Sequence, residues 1–318
     1  MDKITLLIAS DDAFAMPMTV ALHSALRHLP QGLMVEIFIV DGGITSQNRA
    51  KIVSLLKPVH AGAQLHFKTL DLSRFAGSNV GRLTLTSLAR IFVAEIVPPQ
   101  TERALYLDCD IVVTGDLSAL WKIDMTGVPL MVAQDVHFTH LEIPIDGAEP
   151  RVIEPYFNSG VILFNLPEWT RQGLQSKTTE YLEEYGAVFK LPDQDALNAA
   201  CSGVWQPLEP HWNMQLNNAK TILDTPGITH YTVKKPWQWR YRKALAWRFF
   251  EAYYKSGWDK PIVAIAVITR LFILQGVWRL SRRIGRGLRR IWGLLGGPRV
   301  IAPVIQRWKK LSGRLGPS

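Results

Sequence analysis

The segment Leu105-Tyr-Leu-Asp108-Cys-Asp110-Ile-Val-Val113 carries two carboxylates, one residue apart, directly after a short apolar run. Residues 104–107 form a continuous apolar stretch, which is typical of a buried parallel strand. Two carboxylates at the end of a buried strand need a compensating positive charge. A divalent cation that prefers oxygen ligands would supply it, so Asp108 and Asp110 are candidate metal ligands. The alternative is a solvated turn, because Asp-x-Asp is a frequent tripeptide.

On both sides of this segment, apolar runs of strand length alternate with stretches of helical periodicity. The predicted strands cover residues 4–10, 35–40, 64–70, 104–107, 130–133 and 161–164. The predicted helices cover residues 17–29, 45–56, 85–96, 168–185 and 193–200. This alternation predicts an α/β fold with a mainly parallel sheet and helices on both of its faces.

Acidic side chains follow three of the predicted strands. Asp11 and Asp12 follow the first strand, Asp108 and Asp110 follow the fourth, and Asp135 follows the fifth. Ligands of such sheets bind at the carboxyl ends of the strands. The sequence therefore predicts a binding site at this edge of the sheet.

Composition limits the function classes. The chain has 318 residues, of which 47% are hydrophobic and 20% are charged, as in a globular protein with a sizeable core. Its two cysteines, Cys109 and Cys201, exclude a disulfide-rich scaffold and a four-thiolate zinc site.

The net charge of +9 is unevenly distributed along the chain. Residues 231–318 hold 20 of the 36 Lys and Arg residues and only two acids, Glu251 and Asp259, so the rest of the chain is acidic. An acidic body argues against a nucleic acid as the partner. The basic end favours contact with an anionic surface.

Residues 277–295 have the pattern of an amphipathic helix, with apolar residues on one face and arginines on the other. This pattern is typical of a helix that lies in the interface of an anionic membrane, and the alternative is a helix packed on the body. We expect a body over residues 1–258 and a basic amphipathic tail over residues 262–318. The apolar run 262–278 is short for a spanning helix and contains Arg270, and no signal peptide is visible. The expected location is cytoplasmic, at the cytoplasmic face of the inner membrane.

Seven segments, in this order over residues 4–258, resemble the motifs of glycosyltransferase family 8, which includes bacterial lipopolysaccharide galactosyl- and glucosyltransferases and glycogenin. The segments are Ile8-Ala-Ser-Asp-Asp-Ala-Phe-Ala15, Ser87-Leu-Ala-Arg-Ile91, the block 103–121, Phe157-Asn-Ser-Gly-Val-Ile-Leu-Phe-Asn165, Leu191-Pro-Asp-Gln-Asp-Ala-Leu-Asn198, His211-Trp-Asn213 and His230-Tyr-Thr-Val-Lys-Lys-Pro-Trp237.

The resemblance implies a GT-A-type, Rossmann-like nucleotide-binding sheet. It also implies a retaining, metal-dependent transfer of galactose or glucose from a UDP-sugar to a lipopolysaccharide-type or other lipid-linked glycan. The implied cofactor is Mn²⁺ or Mg²⁺, held by Asp108, Asp110 and His230. Without the resemblance, His230 would be read as a satisfied core histidine.

The resemblance also assigns donor-binding and catalytic residues. The implied donor-binding residues are Ala9, Asp11, Asp12, Phe14, Arg90, Asp108, Cys109, Asn158 and Lys235. The implied catalytic residues are Gln194, Asp193 and Asp135, with Gln194 near the anomeric carbon as nucleophile or stabiliser. Asn158-Ser-Gly160 would let the backbone approach the sugar, because glycine has no side chain.

Several of these residues have a structural alternative. The carboxylates of Asp11 and Asp12 could cap a helix instead of binding uridine. Arg90 could pair with Glu95 or another acid of the body instead of binding a phosphate or a sugar hydroxyl. The carboxylate of Asp193 could cap the helix that follows it.

The chain departs from the family pattern at two places. Ala13 and Phe14 stand where the family often has Asn and Tyr, which leaves stacking on the base as the expected contact. The spacing from His230 to Lys235 is one residue shorter, and Val233 stands near a usual Gly.

Two other function classes remain open from the sequence. One is a non-catalytic module at the membrane that binds a nucleotide-sugar or glycan. The other is a metal-dependent nucleotidyltransferase, which would release pyrophosphate in place of UDP.

Overall fold

The structure is a computed structural model that describes residues 3–71, 73–79, 83–216, 224–238 and 245–270. The chain divides into two compact units, Met1–Ala266 and Val267–Ser318. Only residues 267–270 of the second unit are described.

A seven-stranded sheet forms the centre of the first unit. The strands among the described residues are β1 (Lys3–Ser10), β2 (Met34–Asp41), β3 (Ala63–Lys68), β4 (Arg103–Leu107), β5 (Ile111–Val113), β6 (Leu130–Gln134), β7 (Leu141–Ile145), β8 (Ala148–Ile153), β9 (Phe157–Asn165), β10 (Gln206–Pro207), β11 (Met214–Gln215) and β12 (Ile228–His230). The order in the large sheet is β10-β6-β9-β4-β1-β2-β3. Strands β11, β12 and β5 form a second sheet, and β7 and β8 form a hairpin.

The large sheet is mainly parallel, as predicted. Strand β1 is parallel to β2 and β4, β2 is parallel to β3, and β10 is parallel to β6. Strand β9 is antiparallel to both of its neighbours, β4 and β6. Because of this reversal, β9 begins at the edge of the sheet where β4 and β6 end.

Helices cover both faces of the large sheet. They are α1 (Ala15–Arg27), α2 (Ser46–Leu56), α3 (Leu85–Leu88), α4 (Val93–Ile96), α5 (Leu117–Trp121), α6 (Leu166–Arg171), α7 (Leu174–Tyr185), α8 (Pro192–Ala200) and α9 (Ala246–Ser256). Alternate residues of β1 belong to different hydrophobic clusters, with Leu6 and Ile8 in one and Leu7 and Ala9 in the other. This alternation is the two-residue period of a strand buried on both faces.

Two of the predicted helices are each divided in the structure. The predicted helix 85–96 consists of α3 and α4, and Arg90 lies in the turn between them. The predicted helix 168–185 consists of α6 and α7, separated at Gly173, whose φ of +63° belongs to the left-handed region that glycine tolerates. Helical periodicity continues across both breaks, so the pattern alone does not reveal them.

The predicted tail helix 277–295 lies outside the described residues. Residues 261–270 are helical, and Ile262 and Ile265 on this segment are exposed. Among the described residues, no helix has both the length and the apolarity needed to cross a bilayer.

Candidate functional site

The polar residues at the carboxyl edge of the large sheet come together because β9 runs against its neighbours. Strands β4 and β6 end just before Asp108 and Asp135, and β9 begins at the same edge with Phe157 and Asn158. The backbone confirms the junction, since the Asp108 N–H donates to the Gly160 carbonyl over 2.9 Å and the Asp135 N–H donates to the Tyr156 carbonyl over 3.0 Å.

Asp108, Asp110 and His230 form one group of potential metal-ligand side chains, the metal cluster, whose ligand atoms lie within 4.8 Å of one another. His230 Nε2 lies 3.7 Å from Asp108 Oδ2 and 3.4 Å from Asp110 Oδ1. The pairing of β12 with β5 sets this position, because it places His230 opposite Ile111. Two carboxylates and an imidazole are a ligand set that a divalent metal ion accepts.

Gly160 provides the space in which this cluster converges. A Cβ on Gly160 would lie 2.2 Å from His230 Cε1 and 2.7 Å from Asp108 Oδ2. The approach of the Asn158-Ser-Gly160 backbone to a sugar stays a prediction, and the structure gives a second reason for a glycine here. The space beside its Cα is occupied by the His230 ring.

Arg90 holds the Asp108 carboxylate from the other side. Its guanidinium donates to Asp108 Oδ1 over 2.8 Å and to Ser159 Oγ over 2.7 Å. Its Nε lies 3.5 Å from Asp193 Oδ2, and the group stacks over the Tyr106 ring. Burial alone would lower the pKa of Arg90, but the neighbouring carboxylates raise it overall. Arg90 therefore pairs with two acids of the body, Asp108 and Asp193, as the structural alternative allowed, although Glu95 was the acid named first.

The two oxygens of Asp108 have different partners. Oδ1 accepts hydrogen bonds from Arg90 and, over 2.8 Å, from the Tyr106 hydroxyl. Oδ2 faces His230. The carboxylate is thus held in one orientation with one oxygen directed at the metal cluster.

Lys235 lies beside the same cluster. Its ammonium donates to Asp110 Oδ2 and, over 3.1 Å, to the Tyr231 carbonyl. Burial would raise the pKa of Asp110, but His230 and Lys235 lower it well below its ordinary value. Val233, near the position of the family's usual glycine, has a φ of +64°, in the left-handed region that glycine favours.

Asp135, Asn158 and Gln194 form a second polar group next to the metal cluster. Asp135 Oδ2 accepts a hydrogen bond from Asn158 Nδ2 over 3.0 Å and another from Gln194 Nε2 over 3.2 Å. Gln194 Oε1 accepts from the Ser159 N–H over 2.9 Å and from Ser159 Oγ over 3.1 Å. The Ser159 backbone donor fixes the orientation of the Gln194 amide.

The alternative of a capping role is correct for Asp11. Its carboxylate accepts a hydrogen bond from the Phe14 N–H over 3.0 Å and caps a short 3₁₀ turn. Asp12 instead reaches the start of α2, where its Oδ1 accepts from the Thr45 N–H and from Asn48 Nδ2, both over 2.8 Å. These bonds lower the pKa of Asp12. The Phe14 ring remains 38% exposed.

Ala9 and Cys109 lie together under this edge of the sheet. The Cys109 thiol donates to the Ala9 carbonyl over 3.0 Å, and burial raises the pKa of the thiol well above its ordinary value. The buried Cys109 thiol is therefore neutral, and its role in donor binding stays a prediction.

Asp193 lies in the first turn of α8, whose N-cap is Leu191, so the alternative of a helix cap is wrong for this residue. Burial raises the pKa of Asp193. The acid that reaches the start of α8 is Asp195, whose Oδ2 accepts from the Leu191 N–H over 2.9 Å.

Sequence reasoning missed several residues of the site. Tyr106 and Tyr156 are buried tyrosines whose hydroxyls bond to Asp108 and Asp195, and Ser159 joins Arg90 to Gln194. Asn213 bonds to both His230 and Asn158. Tyr106, Ser159 and Asn213 had a signal, because each lies inside one of the quoted segments, whereas Tyr156 lies outside them.

The donor set fits a divalent cation. Asp108 and Asp110 each direct an oxygen at His230 Nε2, and Gly160 leaves room for the His230 ring and the Asp108 carboxylate. The neighbouring Lys235 and Arg90 add positive charge on either side. Such an arrangement can hold a metal ion and an anion together.

Comparison with known proteins gives consistent results. The Glycosyl transferase family 8 model matches residues 5–240. General stress protein A of Bacillus subtilis is 26% identical over 250 residues, which cover 72% of this chain and 85% of that protein. The lipopolysaccharide 1,2-glucosyltransferase of Escherichia coli is 30% identical over 161 residues, which cover 46% of this chain and 48%, about half, of that protein.

A solved structure of the galactosyltransferase LgtC, in complex with donor and acceptor sugar analogues, has a TM-score of 0.64 and 25% identity. The match covers 79% of this chain and 95% of that one. The predicted GT-A-type sheet with flanking helices is confirmed. Since the family model covers most of the described body, the chain belongs to glycosyltransferase family 8.

Proposed function

We propose that this protein is a retaining, metal-dependent hexosyltransferase that moves galactose or glucose from a UDP-sugar to a lipopolysaccharide-type or other lipid-linked glycan. One observation carries the proposal: the cluster of Asp108, Asp110 and His230 adjoins the polar group of Asp135, Asn158 and Gln194 at a single strand edge. Family membership and the names of the relatives support the same class of reaction.

The proposed cofactor is Mn²⁺, with Mg²⁺ as the alternative, and Asp108, Asp110 and His230 would hold it. A bound ion of this kind acts as a Lewis acid that stabilises negative charge on a departing diphosphate. The proposed role of Arg90 is to hold the Asp108 carboxylate in its orientation, because the guanidinium already donates hydrogen bonds to Asp108 and Ser159.

Lys235 is the proposed partner of the leaving UDP. Its ammonium lies beside Asp110 at the rim of the metal cluster. A diphosphate that arrives there offers stronger acceptors than a carboxylate that is shared with a metal. We therefore propose that Lys235 stabilises the negative charge that develops on the leaving UDP.

Asp135 and Asn158 are the proposed ligands of the donor sugar, and Gln194 and Asp193 lie beside them on α8. The Gln194 oxygen already accepts two hydrogen bonds from Ser159, which reduces its nucleophilicity. We propose that Gln194 stabilises an oxocarbenium-like transition state and that its amide orients the Asp135 carboxylate.

The proposed uridine pocket lies after β1. The exposed Phe14 ring offers a face for the base, and Trp237 stands edge-on to it at 6.1 Å between ring centroids. Asp11 and Asp12 shape this loop through their backbone hydrogen bonds. Ala9 and Cys109 form its buried floor.

We propose that the chain acts at the cytoplasmic face of the inner membrane. The concentration of Lys and Arg beyond residue 231 supports contact with anionic headgroups. Exposed apolar side chains at Ile262 and Ile265, just before the basic segment, support contact with the acyl region.

The test is UDP release from UDP-galactose and UDP-glucose without acceptor, with and without Mn²⁺. We expect slow hydrolysis of one donor that requires the metal. The Asp110→Ala variant should lose both this hydrolysis and Mn²⁺-dependent UDP binding in calorimetry. The Asp124→Ala variant, which removes an exposed carboxylate in a turn outside the site, should retain both.

Two results would contradict the proposal. Release of pyrophosphate from a nucleoside triphosphate would indicate a nucleotidyltransferase. Absence of hydrolysis together with metal-independent UDP binding would indicate a non-catalytic binding module.

A further inference from the structure

A continuous chain of buried side-chain hydrogen bonds runs from the metal cluster to the proposed sugar site. His230 Nδ1 lies 2.9 Å from Asn213 Oδ1. Asn213 Nδ2 donates to Asn158 Oδ1 over 3.0 Å, and Asn158 Nδ2 donates to Asp135 Oδ2 over 3.0 Å. Asn213 is 2% exposed and His230 is 3% exposed, so water does not compete for these bonds.

Backbone groups fix the direction of every bond in this chain. The Gly160 N–H donates to Asn158 Oδ1 over 3.1 Å, and a backbone N–H can only donate. The oxygen of Asn158 therefore faces Gly160, and its nitrogen faces Asp135. At the other end, Asp135 Oδ1 accepts from the N–H groups of His137 and Phe138, over 2.7 and 3.1 Å, which fixes that carboxylate too.

The orientation of Asn213 follows from that of Asn158. Because Asn158 presents an oxygen, Asn213 must present its nitrogen, and its own oxygen then faces His230 Nδ1. An oxygen acceptor requires a proton on Nδ1. A neutral His230 ring therefore carries its lone pair on Nε2, the atom that faces Asp108 and Asp110.

We propose that Asn213 is a positioning residue that selects the metal-binding tautomer of His230. Metal-ligating histidines usually donate their second ring N–H to a neighbouring acceptor, which orients the ring and raises its basicity. Here the acceptor is an amide whose own direction is set by the Gly160 backbone. The inference rests on the proposed function only in taking His230 to be a metal ligand.

The strand register explains why Asn213 reaches this position. It ends a short 3₁₀ turn immediately before β11, and β11 pairs in parallel with β12, which ends at His230. A purely structural role would consist of filling space and joining two buried segments. The two roles differ in what they predict for the tautomer of the His230 ring when Asn213 is replaced.

The first measurement is the ¹⁵N NMR spectrum of the His230 ring in the metal-free, full-length protein at mildly alkaline pH. The wild-type chain should show a proton on Nδ1. The Asn213→Ala variant should shift the ring toward a proton on Nε2. The Asn213→Asp variant keeps an oxygen facing Nδ1 but loses the donor to Asn158, so it should keep the wild-type tautomer of His230 while the bond to Asn158 is lost.

The second measurement is the affinity for Mn²⁺ alone, by calorimetry without nucleotide. Loss of such a supporting group typically weakens metal binding by about 10- to 100-fold. We expect a loss in this range for Asn213→Ala and recovery of most of it in Asn213→Asp. The control is Asn165→Ala, which removes an amide with two hydrogen bonds at the opposite end of β9 and should bind Mn²⁺ like the wild type.

A wild-type His230 protonated on Nε2, or an unchanged tautomer in Asn213→Ala, would overturn the inference. Equal losses of Mn²⁺ affinity in Asn213→Ala and Asn165→Ala would also overturn it, because they would indicate a general loss of stability. A chain that behaves as expected in both measurements but hydrolyses neither UDP-sugar would overturn the proposed function alone.

Discussion

At the scale of single residues, the site depends on a glycine at position 160, because any side chain there would collide with the site. Gly160 lies on β9 where any Cβ would collide with His230 and Asp108. Nothing in the sequence around this glycine distinguishes it from one that is required by a turn. Its purpose becomes clear only when β12 and β4 are placed beside it, because its neighbours are 52 and 70 residues away in the chain.

Gly160→Ala should destabilise the fold and weaken metal binding. A methyl group inserted into a packed interior typically costs about 1–3 kcal/mol, and here the groups that must move are metal ligands. Denaturant unfolding without metal measures the first effect, and Mn²⁺ calorimetry measures the second. Gly32→Ala, where no atom lies within 4 Å of the new Cβ, is the control. Unchanged Mn²⁺ affinity in Gly160→Ala would show that the cluster rearranges freely.

At the scale of elements, the sequence predicted six of the seven strands of the large sheet and missed only β10 among them. Strands β1, β2 and β4 are recognisable because each is largely buried on both faces and mostly apolar in sequence. The start of β9 was missed because Asn158 and Ser159 are polar residues that lie inside the strand. They are tolerated there because side chains from other elements satisfy them, which local sequence does not encode.

The break between α3 and α4 has a similar cause. Arg90 lies in this turn with its guanidinium bonded to Asp108 and Ser159. A helix continuing through residue 90 would keep a regular apolar face. The charged contacts are tertiary, so a periodicity argument over residues 85–96 had no access to them.

Packing between α1 and α9 predicts a pH dependence of stability. His23 on α1 is buried near Arg27 and Lys255, and burial, followed by these two charges, lowers its pKa from 6.5 to about 4. Between these values the unfolded chain binds a proton that the folded chain does not bind, so stability falls as the pH decreases through this window. The loss should reach up to about 3 kcal/mol near pH 4.

Denaturant unfolding at several pH values between 7 and 4 measures this loss. His23→Gln should flatten the profile, because the side chain no longer titrates. His140→Gln, at an exposed histidine, should leave the profile unchanged. Identical profiles for the wild type and His23→Gln would show that His23 does not contribute to the acid sensitivity.

At the scale of the whole molecule, the chain combines an acidic body with a basic end. We expect a chain that lacks residues 262–318 to lose flotation with anionic vesicles while Mn²⁺-dependent UDP binding persists. A full-length variant with Arg282, Arg283, Arg286, Arg289 and Arg290 changed to Gln should also bind vesicles less tightly, by about 1 kcal/mol per residue.

The control is a variant with the same kind of change on the body, Lys57→Gln together with Lys122→Gln. It should float like the wild type. Flotation of the truncated chain at the wild-type level would show that the basic segment is not the anchor.

Strand β9 has a consequence for recognising working relatives of this protein in genomes. Successive residues of a strand face opposite sides of the sheet. In β9, Asn158 and Gly160 lie against Asn213 and His230. Ser159, which lies between them, bonds to Arg90 and Gln194. The insertion or deletion of one residue within 157–160 would exchange the two sets and disable both. We therefore expect an alignment gap inside these four positions to mark an inactive relative, even where the Asp108-Cys-Asp110 motif is intact.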